Sequence, residues 1–461
     1  MKKQKVGTIL EQKRIYRENL ADYFRDGCKP KAAWKIGTEH EKIGFCNQSL
    51  RPIPYFGEKS IEKLLQRLAD CNHDEQWLAV LEDGHPIALK NGLASITLEP
   101  GGQLELSGAP LATIHETHAE VGQHFDLLRQ LTKEMEMGFL GLGFQPKWKR
   151  EDIAWMPKSR YQVMRDYMPK VGDLGLDMML RTATTQANLD FSDEADMAKK
   201  MRVAYCLQPL VTALFAASPF IEGKPSGLLS ARANCWLDTD AKRTGVPSCV
   251  FEDDFGFEAW TEWVLDVPMY FVMRDATYID CAGASFRDFL EGDLSILPHQ
   301  YPTYADWELH VSTTFPEVRL KQFIEVRGAD AGGWAWISAL PALWKGLLYD
   351  AEALNQAWDM IQDWSHEDVL YLCQNTPKTA LKTEFLDKNV QYHAQNMLDI
   401  AEAGLNRIQD NNEDGHNESI YLKPLLEVAS SGETQAERWF NSCHEEWQQS
   451  VDPMFETAAH P

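Results

Sequence analysis

The sequence predicts an α+β fold. Three observations carry that expectation: short alternating segments over 76–107 cut by turn signals, acidic residues at strand spacing, and a helical pattern that takes over from Gly333. No composition break demands a second domain. The chain therefore reads as one domain, 1–461, with a sheet-bearing part over 1–350 and a mostly helical buttress over 351–461.

In chain order, residues 8–26 read as an amphipathic opening helix and 33–45 (AWKIGTEHEKIGF) as a strand. Residues 58–70 place Ile61, Leu64, Leu65 and Leu68 on one side of a helix. A strand meander follows over 76–107, with DG at 83–84, NG at 91–92 and PGG at 100–102 as its turns. Long helices are predicted over 111–137 and 194–218, mixed structure over 256–273 and 285–291, and a strand over 319–327 (RLKQFIEVR). The last third reads as helices over 334–362, 365–372, 387–409, 418–430 and 433–449. Residues 222–227 (EGKPSG) read as a loop.

Composition narrows the function. The 461 residues carry a net charge of −24, which opposes binding to nucleic acid or an anionic membrane surface. No apolar run approaches a membrane span, and no secretory pattern follows Lys2, Lys3 and Lys5. The nine cysteines are scattered and include no C-x-x-C pair, which points to reduced thiols in a cytoplasmic protein.

The most informative residues are acidic. Side chains i and i+2 of a strand share a face. Glu39 and Glu41 in KIGTEHEK therefore point the same way, as do Gln103 and Glu105 in QLELSG, while the PGG turn separates Glu99 from Glu105. In FIEVRGAD, Glu325 shares a face with Arg327, opposite Ile324 and Val326. Any one of these glutamates alone reads as a solvated strand position. Three acidic strands together read as carboxylates gathered around divalent cations, because Glu is seldom buried unless paired or bound to a cation. That pattern suits metal-assisted phosphate chemistry and does not name a substrate. No P-loop or strand-bound G-x-G-x-x-G accompanies it.

Cations for an anionic substrate lie in three segments. Lys158, Arg160 and Arg165 occur in WMPKSRYQVMRDYM, Arg181 in LRTATTQANLDF, and Arg232, Trp236 and Arg243 in SGLLSARANCWLDTDAKRTG. Alternation places Thr182, Thr184, Gln186 and Asn188 on one face, as a substrate floor or a solvated one. His115, His118 and His124 lack the spacing of H-E-x-x-H, and Trp334, Trp336 and Trp344 read as core.

Together KIGTEHEKIGF, EPGGQLELSGAP, MPKSRYQVMRDYM, RTATTQANLDF, SPFIEGKPSGLLSARANCWLDTDAKRTG, DVPMYFV, FPEVRLKQFIEVRGAD and ALPALWKGLLYD resemble the plant and proteobacterial type of glutamate–cysteine ligase over about 30–350. The resemblance implies a curved antiparallel sheet, a funnel similar to the glutamine-synthetase half-barrel, packed by helices. It implies ATP-dependent joining of the glutamate γ-carboxylate to the cysteine amine through γ-glutamyl phosphate, the first step of glutathione synthesis. The alternative is a related γ-glutamyl ligase with another amine acceptor. It implies two or three Mg²⁺ ions held by Glu39, Glu41, Glu99, Glu105 and Glu325, and Arg327 as the arginine that stabilises the transferring phosphoryl group. Arg232, Arg165 and Arg181 resemble arginines that hold glutamate or phosphate, with Trp236 and Tyr161 as further substrate contacts. The expected partners are the small-molecule substrates alone, acting on a monomer or weak homodimer. Cys281 resembles one half of a redox-sensitive pair of the plant relatives, but Ile296 stands where its partner is expected.

Overall fold

The computed structural model describes residues 13–71 and 77–460. Among these residues the chain forms a nine-stranded antiparallel sheet. Its strands are β1 (Ile36–Cys46), β2 (Leu78–Glu82), β3 (His85–Asn91), β4 (Ala94–Leu98), β5 (Leu104–Ser107), β6 (Met137–Leu140), β7 (Thr184–Leu189), β8 (Val318–Leu320) and β9 (Ile324–Asp330). The spatial order is β8–β9–β7–β1–β5–β4–β3–β2, with β6 paired to the far end of β1. Long β1 is thus the spine, holding the meander on one side and the late strands on the other.

The meander follows its turn chemistry. Asp83 and Gly84 both take positive φ (51° and 83°), the conformation of a tight hairpin between twisted strands. Gly102 has φ 83° in the turn between β4 and β5, and its N–H donates to the Glu99 carbonyl at 2.9 Å.

Strand alternation separates two faces. Leu104 and Leu106 of β5, Ala187 and Leu189 of β7, and Ile324 and Val326 of β9 are buried in apolar clusters against helices. Helix α1 (Ile61–Asp70), capped by Ser60, buries Ile61, Leu64, Leu65 and Leu68 there, as its spacing predicts. Helix α2 (Ile114–Met135) opens with a Thr113/Glu116 capping box. Helix α3 (Ser159–Tyr167) and the short α4 (Gly175–Arg181) lead into β7. Helix α5 (Glu194–Leu214), almost wholly buried in its second half, packs on β9. The short α6 (Ala231–Trp236) follows, and α7 (Trp334–Leu348) crosses β7 and α2. Beyond it run α8 (Ala351–Ile361), α9 (His366–Thr379), α10 (Val390–Ile408), α11 (Lys423–Ser431) and α12 (Gln435–Glu445), close to the helices predicted there. Among the described residues, no helix is long and apolar enough to cross a membrane.

Three expectations change. Residues 8–12 of the predicted opening helix lie outside the described residues, and 13–26 form only a 3₁₀ turn (Arg17–Asn19) and one helical turn (Asp22–Arg25). Tertiary bonds displace the helical ladder: the Ile15 N–H donates to Pro302 O at 2.9 Å, and the Trp307 indole to Leu20 O at 3.1 Å. The predicted strand 319–327 is a hairpin of β8 and β9, turning at 321–323 and pairing Arg319 with Glu325. The predicted loop at 222–227 forms a small hairpin, Phe220–Ile221 with Lys224–Pro225.

Leu64→Ala removes a fully buried α1 side chain, and about 2–5 kcal/mol of stability is expected to go with it. The urea midpoint falls while the slope stays that of the parent protein.

Candidate active site

The face of the sheet turned away from these apolar clusters lines a cavity of about 260 Å³. Glu39 and Glu41 enter from β1, Glu105 and Gln103 from β5 and the residue before it, Thr184 and Gln186 from β7, Arg319 from β8 and Arg327 from β9. Glu99 enters from the turn after β4. Helices close the other side: Arg160, Tyr161 and Met164 of α3, Met178 and Met179 of α4, Arg232 and Trp236 of α6, with Phe315 beside them.

The carboxylates are packed against each other by register. Glu41 lies directly opposite Glu105 across β1 and β5. Like charges in that position repel. Burial, Glu325 and Glu105 together raise the Glu39 carboxyl to about 7. Burial, Glu99 and Glu105 raise Glu41 well above the usual carboxylate range, and burial and Glu99 raise Glu105. Neutral and backbone donors hold their orientation: Asn188 Nδ2 to Glu39 at 2.8 Å, Thr184 N–H to Glu41 at 3.1 Å, Ser107 Oγ and Thr97 Oγ1 to Glu105 at 2.6 and 3.0 Å.

Glu325 is different. Burial alone would raise its pKa, but Arg319, Lys321 and Arg327 outweigh burial and hold it well below the usual range. Arg319 Nη2 approaches its Oε2 at 2.6 Å, Arg327 Nη1 at 2.8 Å, and Lys321 Nζ reaches its Oε1 at 2.9 Å. The side chain is fully buried and does not line the cavity. Glu325, expected among the metal-ligating glutamates, is thus placed behind the cavity wall, where it is paired with three cations and anchors Arg319 and Arg327.

Arg327 owes its aim to a β-bulge. Val326 pairs with Ala187 and Ala329 with Thr185, so Arg327 and Gly328 oppose one residue, Gln186. Arg327 Nη1 donates to Gln186 Oε1 at 3.0 Å, and its carbonyl accepts from Arg232 Nη2 at 2.6 Å. Buried donors without protein acceptors remain at Arg160 Nε, Arg232 Nε and Trp236 Nε1.

Of the expected substrate residues, Arg232, Trp236 and Tyr161 line the cavity and Arg165 and Arg181 do not. Arg165 lies over the Trp155 ring at 4.8 Å, and Arg181 is paired with Asp177 at 2.7 Å and Glu222 at 3.2 Å. Both line a separate surface groove. Helical geometry explains the exchange on α3: Arg160 and Arg165 are five residues apart, roughly 140° around the axis, so only one faces the cavity. Arg160 stands among the cations named for its motif, whereas Arg319, also within a quoted motif, is not singled out there because its role depends on the hairpin. The Tyr161 hydroxyl is spent on the Leu98 carbonyl at 2.5 Å, which leaves its ring to the cavity. The polar face of β7 is a buried floor: Thr182, Thr184 and Gln186 line the cavity and Asn188 orients Glu39.

Among the described residues no group of three or more His, Cys, Asp or Glu side chains is placed to hold a metal ion. The donor set nevertheless fits hard divalent cations, being carboxylate oxygens whose mutual repulsion a cation relieves.

The family model for glutamate–cysteine ligase family 2 matches residues 35–457. The chain is 51% identical to the chloroplastic glutamate–cysteine ligase of Brassica juncea over 442 residues, 96% of this chain and 84% of that protein. It is equally similar, at 51% over 96% of this chain and 82% of the other, to the chloroplastic glutamate–cysteine ligase of Arabidopsis thaliana. In structure it resembles a glutamate–cysteine ligase from Francisella tularensis in complex with AMP: TM-score 0.55, 11% identity, covering 92% of this chain and 87% of that one. A bifunctional glutathione synthetase from Pasteurella multocida gives 0.50 at 12% identity, covering 96% and 54%. The cytoplasmic location expected from the cysteine pattern is overturned, since these curated relatives carry chloroplastic names.

The raised Glu39 carboxyl has a thermodynamic consequence. Its folded pKa of about 7 exceeds the ordinary 4.5, so its contribution to stability is complete below pH 4.5 and lost as pH rises through 7. Without divalent cations, Glu39→Gln is expected to lose less stability than the parent between pH 5 and 7.5, by up to about 3 kcal/mol. Thermal denaturation of the two proteins at both pH values measures it.

Carboxylates on neighbouring strands, a forked arginine on a bulge and unfilled donors around them thus coincide with long-range sequence identity: the chain belongs to the glutamate–cysteine ligase family and makes γ-glutamylcysteine from glutamate and cysteine for glutathione synthesis.

Proposed function

We propose that the cavity performs this ligation in two steps with ATP as co-substrate. The glutamate γ-carboxylate oxygen attacks the terminal phosphorus of ATP, giving γ-glutamyl phosphate and ADP. The neutral amine of cysteine then attacks the acyl carbon, an amide bond forms, phosphate leaves with the C–O electron pair, and the amine gives up a proton. The observation that carries this reading is the meeting of four buried or half-buried carboxylates with Arg160, Arg232, Arg319 and Arg327 in one cavity.

Glu39, Glu41, Glu99 and Glu105 would hold Mg²⁺ ions. When bound, those ions supply charge neutralisation between anionic ATP and glutamate. Arg327 offers a planar fork to the moving phosphoryl group, held toward it by Glu325 and Gln186. Arg232 and Arg160 bind anionic groups of the substrate through donors that have no acceptor in the protein. The sheet is taken as the wall of a funnel whose closed end is this cavity. The helices of 351–461 buttress it within one catalytic unit.

Phosphate release with ATP, Mg²⁺ and glutamate, with and without cysteine, tests the reading. Full turnover is expected only with cysteine, and the peptide product should equal the phosphate released. A stable phosphorylated product without peptide, or equal rates with unrelated amines, rejects it. Glu41→Gln is expected to lower kcat by about a thousandfold or more with the fold intact, since the amide keeps the volume and loses the charge. Arg327→Lys should fail comparably, because a point charge does not replace a planar fork. Near-parental rates in both variants reject the assignments.

A further inference from the structure

Arg232 and Arg327 face the cavity from different elements, α6 and β9, and something must hold these two elements in register. Asp330, the last residue of β9, stands at the junction. It is 2% exposed and does not line the cavity. Its Oδ2 accepts from Ala217 N–H at 2.9 Å and from Ser218 Oγ at 2.6 Å, and its Oδ1 accepts from Ser230 Oγ at 2.7 Å.

Each serine passes the constraint on. Ser230 is the N-cap of α6, accepting the Ala233 N–H at 3.0 Å. Ser218 Oγ accepts the Arg232 N–H at 3.3 Å. Arg232 then returns to β9, donating Nη2 to the Arg327 carbonyl at 2.6 Å. The register shift at Arg327 and Gly328 takes this carbonyl out of the ladder, and it also accepts from Thr184 Oγ1 at 3.2 Å. The bonds form a closed ring: Asp330, the two serines, the first turn of α6, Arg232, Arg327 and back along β9.

A further strand is joined to the ring. A Cβ on Gly143 would meet the Asp330 carboxyl at 2.2 Å, so only glycine fits against it. The Gly143 carbonyl accepts from Ala183 N–H at 2.9 Å, and the next N–H, that of Thr184, holds Glu41. One carboxylate therefore ties the supports of Arg232, Arg327 and Glu41 together. A carboxylate suits this place because it accepts only, and all three groups facing it donate. Burial raises the Asp330 carboxyl above its usual range, and Arg232 and the three hydrogen bonds oppose part of that rise.

We propose that Asp330 is a positioning residue of the ligase reaction. It touches no substrate and fixes the guanidinium of Arg232 against the Arg327 bulge, so that glutamate meets a preformed anion clamp. This rests on the reading of Arg232 as a glutamate-binding arginine.

The test is a double-mutant cycle with steady-state kinetics for all three substrates. Asp330→Asn keeps the volume but turns an N–H₂ toward a donor. It is expected to raise the glutamate KM about tenfold or more, while the KM values for ATP and cysteine stay within about twofold. Arg232→Lys alone should raise the glutamate KM, and adding Asp330→Asn to it should change little more. If Arg232→Lys raises the glutamate KM and Asp330→Asn does not, or if the two effects multiply, the positioning role is wrong and the reading of Arg232 survives. If Arg232→Lys leaves the glutamate KM unchanged, both fall. Should Asp330→Asn not fold, Ser230→Ala, which removes one of the three bonds, replaces it in the cycle with the same pattern expected at smaller size, and a multiplicative effect again overturns the proposal.

Discussion

The repulsion between buried carboxylates on adjacent strands is the constraint on which the rest of the site depends. Glu41 and Glu105 face each other across one ladder, and Glu39 and Glu99 complete the group. Burial makes each charge costly, and proximity makes the group costlier still. Such a group persists only where the surrounding fold forces it. Here the force is apolar: the opposite faces of the same strands, Leu104 and Leu106, Ala187 and Leu189, Ile324 and Val326, are sealed under helices. A register slip by one residue would free the glutamates and expose that core, so the core pins the acids in place.

The positive side of the site is built in the opposite manner. Glu39, Glu41 and Glu105 come from regular strands, whereas three of the four cavity arginines sit on or beside departures from long regular elements. Arg327 stands on a bulge, Arg319 beside a three-residue turn, and Arg232 on a six-residue helix capped by Ser230. Each needs a local tether, and Glu325 provides it for two of them. That carboxylate is held ionised by its three cations, while burial, with Glu325 and Glu105 beside it, raises the Glu39 carboxyl to about 7. Two glutamates on neighbouring elements of the sheet thus differ in charge because their surroundings and partners differ.

Much of this was legible along the chain. The turn dipeptides, the α1 stripe, the two long early helices and the helical last third follow from local periodicity and turn chemistry. Alternation alone aligned Glu39 with Glu41 and Gln103 with Glu105. It also assigned the Thr182, Thr184 and Gln186 face, although it did not decide between a solvated and a buried floor. The motif resemblance extended this to the family, which the comparisons establish. Arg165 and Arg181 line a separate groove, because a motif marks a segment and which of its cations turns toward the cavity depends on the docking of α3 and α4.

What the sequence determined by itself was the inventory: which strands carry acids, which face they share, and which family they belong to. The first two are properties of spacing, which is local, and the third rests on the resemblance of whole motifs. The tertiary structure alone decided the partners. It set Arg319 against Glu325, gave Arg160 rather than Arg165 to the cavity, and gathered Ala217, Ser218 and Ser230 around Asp330. Those pairings join residues distant in the chain, and their geometry is fixed only when packed elements bring the groups within hydrogen-bonding reach.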